Sequence, residues 1–336
     1  MGFIRNDAAG LIPHFGAEAL PWLGGDAQTL RHFIRRDAPT PPPHETILLD
    51  LEDGDQLMAA YHLPNNGEMR GCLIGVHGLN GSMDAAHILW LTKAALDTGW
   101  AVLRVNMRGA GPARPLARKT YNAGAGADLL AFVDWARARH KGDRVVMMAH
   151  SLGGTAALNM ALDFPERSAA LDGIITISTP LDMVVSSRQF HAPRNWPYIR
   201  YMLGGLRDIV ATVPDIDPDL IEVAGRIKSI HEFDDKLTAP MAGYPNALGY
   251  YAGTSVHHRL AELTLPGLVI HASNDPWIPA GPALDQPLPA STNNEAIRTG
   301  AAIVVTKGGG HVGFHDKARN WHIRAALEWI NRLGAR

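Results

Sequence analysis

The 336-residue sequence contains a single cysteine, no excess of either charge and no long apolar run. The lone cysteine, Cys72, excludes an intrachain disulfide framework, and its apolar, strand-like surroundings are typical of a buried small side chain. No apolar stretch approaches the roughly 20 residues needed to cross a bilayer, and residues 1–7 contain no apolar signal core. We therefore expect a cytoplasmic protein without an integral membrane segment.

The charged residues nearly balance, with 31 Lys and Arg against 33 Asp and Glu. Because no basic stripe appears, we expect no nucleic-acid partner. His, Cys and carboxylate residues never recur at metal-ligand spacing, so we expect no catalytic metal, and we expect no cofactor. The hydrophobic share of 46% and the chain length allow a large buried core. The expected partner is a small-molecule substrate, and the protein is expected to be a monomer or a homodimer.

From about residue 71, apolar runs of strand length alternate with amphipathic helical segments. The runs are Cys72–Val76, Ala101–Val105, Arg144–Ala149, Gly173–Ser178, Gly267–Ala272 and Ala301–Thr306. Two earlier segments, Glu45–Leu51 and Gln56–His62, alternate in polarity, which is typical of a sheet edge. This α/β pattern predicts a mostly parallel central sheet of about eight strands with helices on both faces.

Two regions interrupt the alternation. Residues 1–44, rich in Pro, Gly and Trp, predict an N-terminal arm packed on the core, with a short helix in Ala27–Arg36. Residues 182–262 show no strong strand pattern, so we predict a helical cap inserted after the sixth strand. The core then consists of residues 45–181 and 263–336.

The segment Ala149-His150-Ser151-Leu152-Gly153-Gly154 joins a buried strand to an Ala-rich helix with almost no loop. A serine on so sharp a turn has its hydroxyl raised out of the sheet, as in the nucleophile elbow usually written G-x-S-x-G. Ala149 replaces the first glycine, and its methyl group is the least intrusive replacement. The alternative interpretation is a serine at an ordinary helix N-terminus.

A serine nucleophile needs a base, and the base needs an acid that orients it. On this type of fold both follow late strands, in the chain order Ser, Asp, His. Asp275 follows the seventh predicted strand, and His311 follows the eighth after three glycines. We predict that Ser151, Asp275 and His311 form a catalytic triad, with His315 as the alternative base.

The oxyanion of a tetrahedral intermediate needs two aimed donors. The backbone N–H of Leu152, directly after the nucleophile, is one predicted donor. The N–H of Leu79, in the loop after the third strand, is the other, and Gly78 allows the backbone to approach. His77 is interpreted as a residue that supports this loop without taking part in the chemistry.

Apolar side chains in and near the predicted cap are candidates for an acyl pocket. For any one of them, the alternative is that it only packs the cap onto the core. The candidates are Phe190, Trp196, Met202, Met241 and Trp277.

Several segments beyond the elbow also form a recognisable set. They are Pro21–Leu30 with Arg35-Arg36, His77–Ser82, Asn106–Gly109, Phe233–Pro240 with Tyr250-Tyr251, Asp275-Pro276 and Gly310-His311. Together they resemble the α/β-hydrolase branch that includes the bacterial YheT-type esterases and the mammalian ABHD1, ABHD2 and ABHD3 proteins. The resemblance covers about residues 20–335. It implies an α/β-hydrolase fold with one catalytic domain and a helical cap, and carboxylesterase activity on short- to medium-chain acyl esters.

We therefore predict a serine carboxylesterase that acts on a small-molecule ester through an acyl-enzyme. A thioesterase, an amidase or an acyltransferase could use the same triad, because the oxyanion and the acyl-enzyme are common to all of them. An enzyme of this fold that displaces a halide from carbon or opens an epoxide ring is disfavoured, since such enzymes carry a carboxylate in place of Ser151. The alternative from another class is a non-catalytic member of the fold that binds an apolar ligand.

Overall fold

The computed structural model describes residues 2–64, 67–288 and 300–333. Within these ranges, nine strands form one mixed sheet. They are β1 (Phe3–Asn6), β2 (Glu45–Asp50), β3 (Gln56–His62), β4 (Gly71–Val76), β5 (Ala101–Asn106), β6 (Arg144–His150), β7 (Gly173–Ile177), β8 (Pro266–Ala272) and β9 (Gly300–Thr306). Their order across the sheet is β1-β9-β8-β7-β6-β4-β5-β3-β2.

The six strands from β9 to β5 in this order are parallel to one another. Antiparallel strands add at both edges, β1 beside β9 on one side and β3 with β2 beside β5 on the other. The predicted mostly parallel sheet is confirmed, with nine strands in place of about eight. Because the inner strands run the same way, their carboxyl ends lie along one edge of the sheet, where such folds place their ligands.

The helices of the described ranges cover the sheet on both faces or lie beyond its carboxyl-terminal edge. They are α1 (Gly25–Arg35), α2 (Ala86–Asp97), α3 (Gly126–Arg139), α4 (Leu152–Asp163), α5 (Pro165–Ser168), α6 (Met183–Phe190), α7 (Trp196–Ala211), α8 (Pro218–Arg226), α9 (Ile230–Phe233), α10 (Ala239–Met241), α11 (Ala247–Thr254), α12 (Gly281–Leu284) and α13 (Trp321–Arg332). A π-helical turn, Asp234–Thr238, lies between α9 and α10.

The core has two layers, one on each face of the sheet. On β4, Cys72 and Ile74 belong to the layer under α3 and α4, whereas Leu73 belongs to the layer under α2 and α13. Successive side chains of a strand point to opposite faces, so a strand buried on both faces reads as a continuous apolar run. Burial also raises the pKa of the Cys72 thiol to about 12, so the thiol stays protonated at neutral pH.

The N-terminal residues contribute more than the expected arm. β1 extends the sheet beyond β9, with Phe3 opposite Thr306. Phe15 enters the core, where its ring packs edge to face on Trp321 with 5.1 Å between the centroids. The short helix predicted in Ala27–Arg36 is observed as α1. β1 was not predicted from the sequence, because a strand of four residues is too short for its periodicity to be recognised.

Between β7 and β8 the described chain forms helices α6 to α11 and contains no strand. Helices α7, α8 and α9 and the π-helical turn share an apolar cluster of their own, in which Leu203 and Leu206 of α7 lie with Phe233 and Leu237, whereas α10 and α11 pack into the main core. Leu79, in the loop after β4, packs against this cluster. The inserted helices therefore lie next to the carboxyl-terminal edge of the sheet.

Among the described residues, no helix is long and apolar enough to pass through a lipid bilayer. The longest of these helices, α7, has 16 residues. At about 1.5 Å per residue such a helix spans roughly 24 Å, less than the roughly 30 Å of a hydrocarbon core.

Several buried histidines are held neutral in the folded protein. Burial lowers the pKa of His77 and of His150 to about 4. In His77, Nε2 accepts a hydrogen bond from the amide of Met107 at 3.0 Å, so protonation of this nitrogen would break the bond. In an unfolded chain the same side chains titrate near pH 6.5.

We expect the free energy of unfolding to be nearly constant above about pH 7 and to fall from about pH 6.5 toward pH 4. The reason is that the unfolded chain binds protons that these histidines do not bind in the folded state. Each such histidine contributes a slope of up to about 1.4 kcal/mol per pH unit. Burial raises the pKa of Asp234 to about 6. This one carboxyl group therefore binds a proton more readily in the folded state, and it partly offsets the loss of stability as the pH falls. Urea titrations at about pH 7.5, 6 and 5 measure the change, and equal stability at all three would contradict the expectation.

Candidate active site

Ser151 lies at the junction of β6 and α4, at the carboxyl-terminal edge of the sheet. Its backbone angles, φ 51° and ψ −128°, are rare for a residue with a side chain and cost on the order of 1–3 kcal/mol. The amide of Ser151 donates to the carbonyl of Ile177 at 2.9 Å, and its carbonyl accepts from the amide of Gly154 at 2.8 Å. These bonds hold the turn that raises the side chain out of the sheet.

Other segments of the same chain approach Gly153 and Gly154 of the elbow closely. An added Cβ would lie 2.1 Å from the carbonyl oxygen of His77 at Gly153, and 1.9 Å from the hydroxyl of Thr179 at Gly154. Ala149, which replaces the first glycine of the motif, is fully buried in β6 between β4 and β7. Its methyl group packs into the core, so the alanine is compatible with the turn.

The imidazole of His311 bridges Ser151 and Asp275. Its Nε2 lies 3.0 Å from Oγ of Ser151, and its Nδ1 lies 2.8 Å from Oδ2 of Asp275. The side chains of His311 and Asp275 are 5% and 0% exposed. The fold therefore brings the three residues of the predicted triad into one hydrogen-bonded series.

The carboxylate of Asp275 is held in one orientation. Its Oδ1 accepts hydrogen bonds from the amides of Trp277 and Ile278, at 2.8 and 3.0 Å. The indole of Trp277 lies against the imidazole of His311, with 4.4 Å between the ring centroids. Oδ2 of Asp275 therefore accepts a hydrogen bond from Nδ1–H of His311. The other ring nitrogen, Nε2, then accepts a hydrogen bond from the hydroxyl of Ser151.

His315, the alternative base, lies elsewhere in the fold. Its ring packs edge to face on His32 of α1, with 4.6 Å between the centroids. Its amide donates to Oε1 of Gln28 at 2.6 Å, and burial lowers its pKa to about 2. Of the two candidate bases, His311 is therefore the one whose ring nitrogen lies within hydrogen-bonding distance of Ser151.

The loop after β4 presents a peptide group to Ser151. The carbonyl of Gly78 accepts from Nδ1 of His77 at 2.8 Å and from the hydroxyl of Tyr121 at 3.4 Å. In a trans peptide, the N–H of Leu79 points away from this carbonyl. An added Cβ at Gly78 would lie 2.9 Å from Cβ of Ser151, so the loop could not approach as closely with a larger residue. His77 thus braces the loop through hydrogen bonds that involve both of its ring nitrogens.

Leu79 and Leu152 both line the cavity that contains Ser151. Among the hydrogen bonds of the described ranges, none uses either amide as a donor. Leu152 is the first residue of α4, and the first N–H groups of a helix have no intrahelical acceptor. The helix dipole also makes this end of α4 positive. Two backbone donors are therefore available at the positions predicted for an oxyanion hole.

A cavity of about 1230 Å³, including the space at its mouth, opens beside Ser151. Four of the five predicted acyl-pocket residues line it, namely Phe190, Met202, Met241 and Trp277. Trp196 does not, and that prediction was wrong. The residue is 61% exposed at the start of α7, and the guanidinium of Arg200 lies 5.7 Å from its ring centroid. The same helix turns Met202 inward, so Trp196 lies on the side that faces solvent.

The N-terminal segment holds together the two loops that follow β8 and β9. Oε1 of Glu18 accepts from the amide of Gly309 at 2.9 Å and from Nδ2 of Asn274 at 3.0 Å. Oδ1 of Asn274 in turn accepts from the amide of Gly310 at 2.9 Å. Asn274 and Gly310 directly precede the predicted acid and base, so one carboxylate and one amide tie their loops to each other.

Helix α1 makes a second contact with these loops. Oγ1 of Thr29 accepts from the amide of His311 at 2.9 Å. An added Cβ at Gly25 would lie 1.9 Å from the carbonyl oxygen of Asn274. No role was predicted for Gly25 or Thr29 from the sequence. Both residues lie in the segment Pro21–Leu30, whose resemblance to a known family was the one signal in the sequence that pointed to them.

Known proteins share both the sequence pattern and the fold. A sequence profile of the family described as alpha/beta hydrolase fold matches residues 72–206. The YheT protein of Escherichia coli, provisionally named an esterase, is 27% identical over 271 residues, which cover 79% of this chain and 77% of that protein. Phospholipase ABHD3 of Mus musculus is 27% identical over 305 residues, which cover 87% of this chain and 71% of the relative.

Solved structures agree on the fold. The esterase Pf2001 of Pyrococcus furiosus matches 88% of this chain and 98% of its own with a TM-score of 0.58, at 15% sequence identity. The chain therefore has the α/β-hydrolase fold, and over most of its length its sequence is similar to those of the YheT and ABHD3 proteins.

We expect Glu18→Ala to lower the rate of hydrolysis by about tenfold to a hundredfold while the protein stays folded. A displacement of about 1 Å in a catalytic group costs up to this much, and Glu18 ties two such loops together. Glu18→Gln keeps one acceptor oxygen and should lie between. The measurement compares steady-state rates and Tm with those of Glu52→Ala, which removes an exposed glutamate after β2. A wild-type rate in Glu18→Ala would contradict the bracing role.

Proposed function

We propose that this protein is a serine carboxylesterase that hydrolyses short- to medium-chain acyl esters through an acyl-enzyme. The observation that supports this most strongly is the hydrogen-bonded series from Oγ of Ser151 through His311 to Asp275. The names of the two relatives, esterase and phospholipase, both refer to enzymes that hydrolyse esters. Ester hydrolysis is therefore the activity that geometry and relationship favour together.

In the proposed reaction, Oγ of Ser151 attacks the acyl carbonyl while Nε2 of His311 accepts the hydroxyl proton. The imidazolium that forms is stabilised by Asp275, whose carboxylate already accepts two backbone N–H groups. Because the acid is fixed before substrate binds, the imidazole does not have to reorient during the step.

The negative charge that develops on the carbonyl oxygen is stabilised by the N–H groups of Leu79 and Leu152. Each such donor contributes roughly 3–4 kcal/mol to lowering the barrier. His77 takes no part in proton transfer. Its Nδ1–H holds the carbonyl of Gly78, which keeps the N–H of Leu79 pointing toward the cavity.

The second half of the reaction uses the same groups. His311 returns its proton to the leaving alcohol and then accepts one from the water that attacks the acyl-enzyme. Residues 182–262 act as the cap, and the cavity beneath them accommodates the acyl chain. Phe190 and Met202 contribute to its apolar wall.

Thioesters and amides would follow the same route through Ser151, and so would acyl transfer to an alcohol other than water. Comparing kcat/KM over a panel of substrates that share one acyl group and differ in the leaving group ranks these reactions. A protein that only binds an apolar ligand would have no use for the hydrogen-bonded Ser151, His311 and Asp275, so this alternative is disfavoured.

Ser151→Ala should lower kcat for p-nitrophenyl butyrate by at least about 10³, because no other group can form the acyl-enzyme. A fluorophosphonate probe should label the wild-type protein and fail to label this variant. Ser187→Ala is the matched control, since Ser187 also lines the cavity and its loss should leave the labelling in place. Full hydrolytic rate in Ser151→Ala would refute the assignment.

We expect kcat/KM to rise from p-nitrophenyl acetate through butyrate to octanoate. Each additional CH2 buried in the cavity is worth up to about 0.8 kcal/mol, or roughly fourfold. Met202→Ala should reduce the ratio of octanoate to acetate activity, because Met202 lines the cavity.

Trp196→Ala is the control for this series, because its exposed ring lies outside the cavity. It should keep the wild-type ratio. Using a ratio removes differences in the amount of folded enzyme. A wild-type preference for acetate, or an unchanged ratio in Met202→Ala, would show that the acyl chain does not occupy this cavity.

A further inference from the structure

One carboxylate stands among the side chains that line the cavity beside Ser151. Of the described lining residues, Asp234 is the single acidic one, and no lysine or arginine accompanies it. The wall is otherwise largely apolar, and α7 contributes Met202, Leu206 and Val210 to it. An ionised group in such surroundings is costly unless polar partners compensate for the water it has lost.

Asp234 keeps part of its hydrogen-bonding capacity free. The hydroxyl of Tyr251 donates to Oδ2 at 2.7 Å, and the nearby side chain of Thr238 also favours the ionised form, which lowers the pKa. An ionised carboxylate has about four acceptor positions. Burial raises the pKa of Asp234 to about 6, so the group is largely ionised at neutral pH. Acceptor positions therefore remain for a donor that enters from the cavity.

The acidity of Asp234 is not required to hold its own turn in place. Asp235 accepts from the amide of Ala247 at 3.0 Å and so links the turn to α11. Phe233 and Leu237 pack the same turn into the apolar cluster of the inserted helices. The hydroxyl of Tyr251 needs only an acceptor, which a neutral amide would supply without a buried charge. The turn is also π-helical, a rare geometry that is frequent at functional sites.

We propose that Asp234 forms a subsite that accepts a hydrogen bond from a free hydroxyl group of the ester substrate. This inference rests on the proposed function, since the substrate of the esterase is the molecule that enters this cavity. A hydroxyl group is an uncharged donor, so its free-energy cost of leaving water is far smaller than that of an ion, and a hydrogen bond to Asp234 offsets it. An ammonium group would have to give up a much larger hydration energy among apolar side chains, and a second carboxylate would be repelled.

Three esters of eight-carbon acids test the subsite. Propyl octanoate and 1-octanoylglycerol share the acid and a three-carbon alcohol, and they differ by two hydroxyl groups on the alcohol. Propyl 8-hydroxyoctanoate carries a hydroxyl at the end of the acyl chain instead. Comparing kcat/KM, measured by titration of the released acid, shows whether the donor belongs to the alcohol or to the acyl chain.

We expect the wild-type enzyme to prefer one of the hydroxylated esters over propyl octanoate. Asp234→Asn should reduce this preference by about tenfold to a hundredfold, as expected for a hydrogen bond to a charged group. Asparagine keeps an oxygen that accepts from Tyr251 and has nearly the same shape as aspartate. A change in substrate preference would therefore result from the loss of the negative charge. Asp235→Asn is the matched control, because it removes a charge one residue away and outside the lining of the cavity. It should keep the wild-type preference.

Equal losses for all three esters in Asp234→Asn would make this residue structural and would overturn the subsite. The same holds if the wild-type enzyme shows no preference for either hydroxylated ester. If the enzyme prefers octanoylcholine to propyl octanoate and this depends on Asp234, the carboxylate recognises a cation and the proposal is wrong. Failure of the proposed function looks different, because then Ser151→Ala retains full activity on every ester and the subsite loses its basis as well.

Discussion

The hydrogen bond between Oγ of Ser151 and Nε2 of His311 depends on how the rest of the molecule positions two distant residues. It spans 3.0 Å and joins residues that follow β6 and β9, two different strands of one sheet. Strands β6, β7, β8 and β9 are adjacent and parallel, so the loops after them lie at one edge. The strained backbone of Ser151 is tolerated because β6 and α4 are buried on all sides and cannot relax separately.

Loops rich in glycine are poor supports for a precise geometry, because each residue has many conformations to lose. The loop that carries His311 contains three glycines in succession. Glu18 and Thr29 compensate for this freedom, since they bind backbone N–H groups of that loop directly. The N-terminal segment thus works as a part of the site, although it lies more than 270 residues earlier in the chain.

The two functions of an enzyme site, reaction and selection, fall to different parts of this chain. The sheet and its loops position the groups that are proposed to react, while the helices between β7 and β8 form much of the cavity wall. Insertions of this kind can change without disturbing the sheet. The carboxylate of Asp234 belongs to the inserted helices, so the inferred selection for a hydroxyl would be a property of the insertion.

Local patterns in the sequence were enough to predict the sheet, the elbow at Ser151 and the order of the residues that meet there. Periodicity and turn residues are properties of neighbours in the chain, and they can be read without knowing what packs against them. The tertiary structure decided which residues face each other. β1 is a strand only because β9 has a free edge, and Glu18 braces the site only because Asn274 and Gly309 lie beside it. Trp196 and Met202 are both apolar residues of α7, and the rotation of this helix alone directs one to solvent and the other to the cavity.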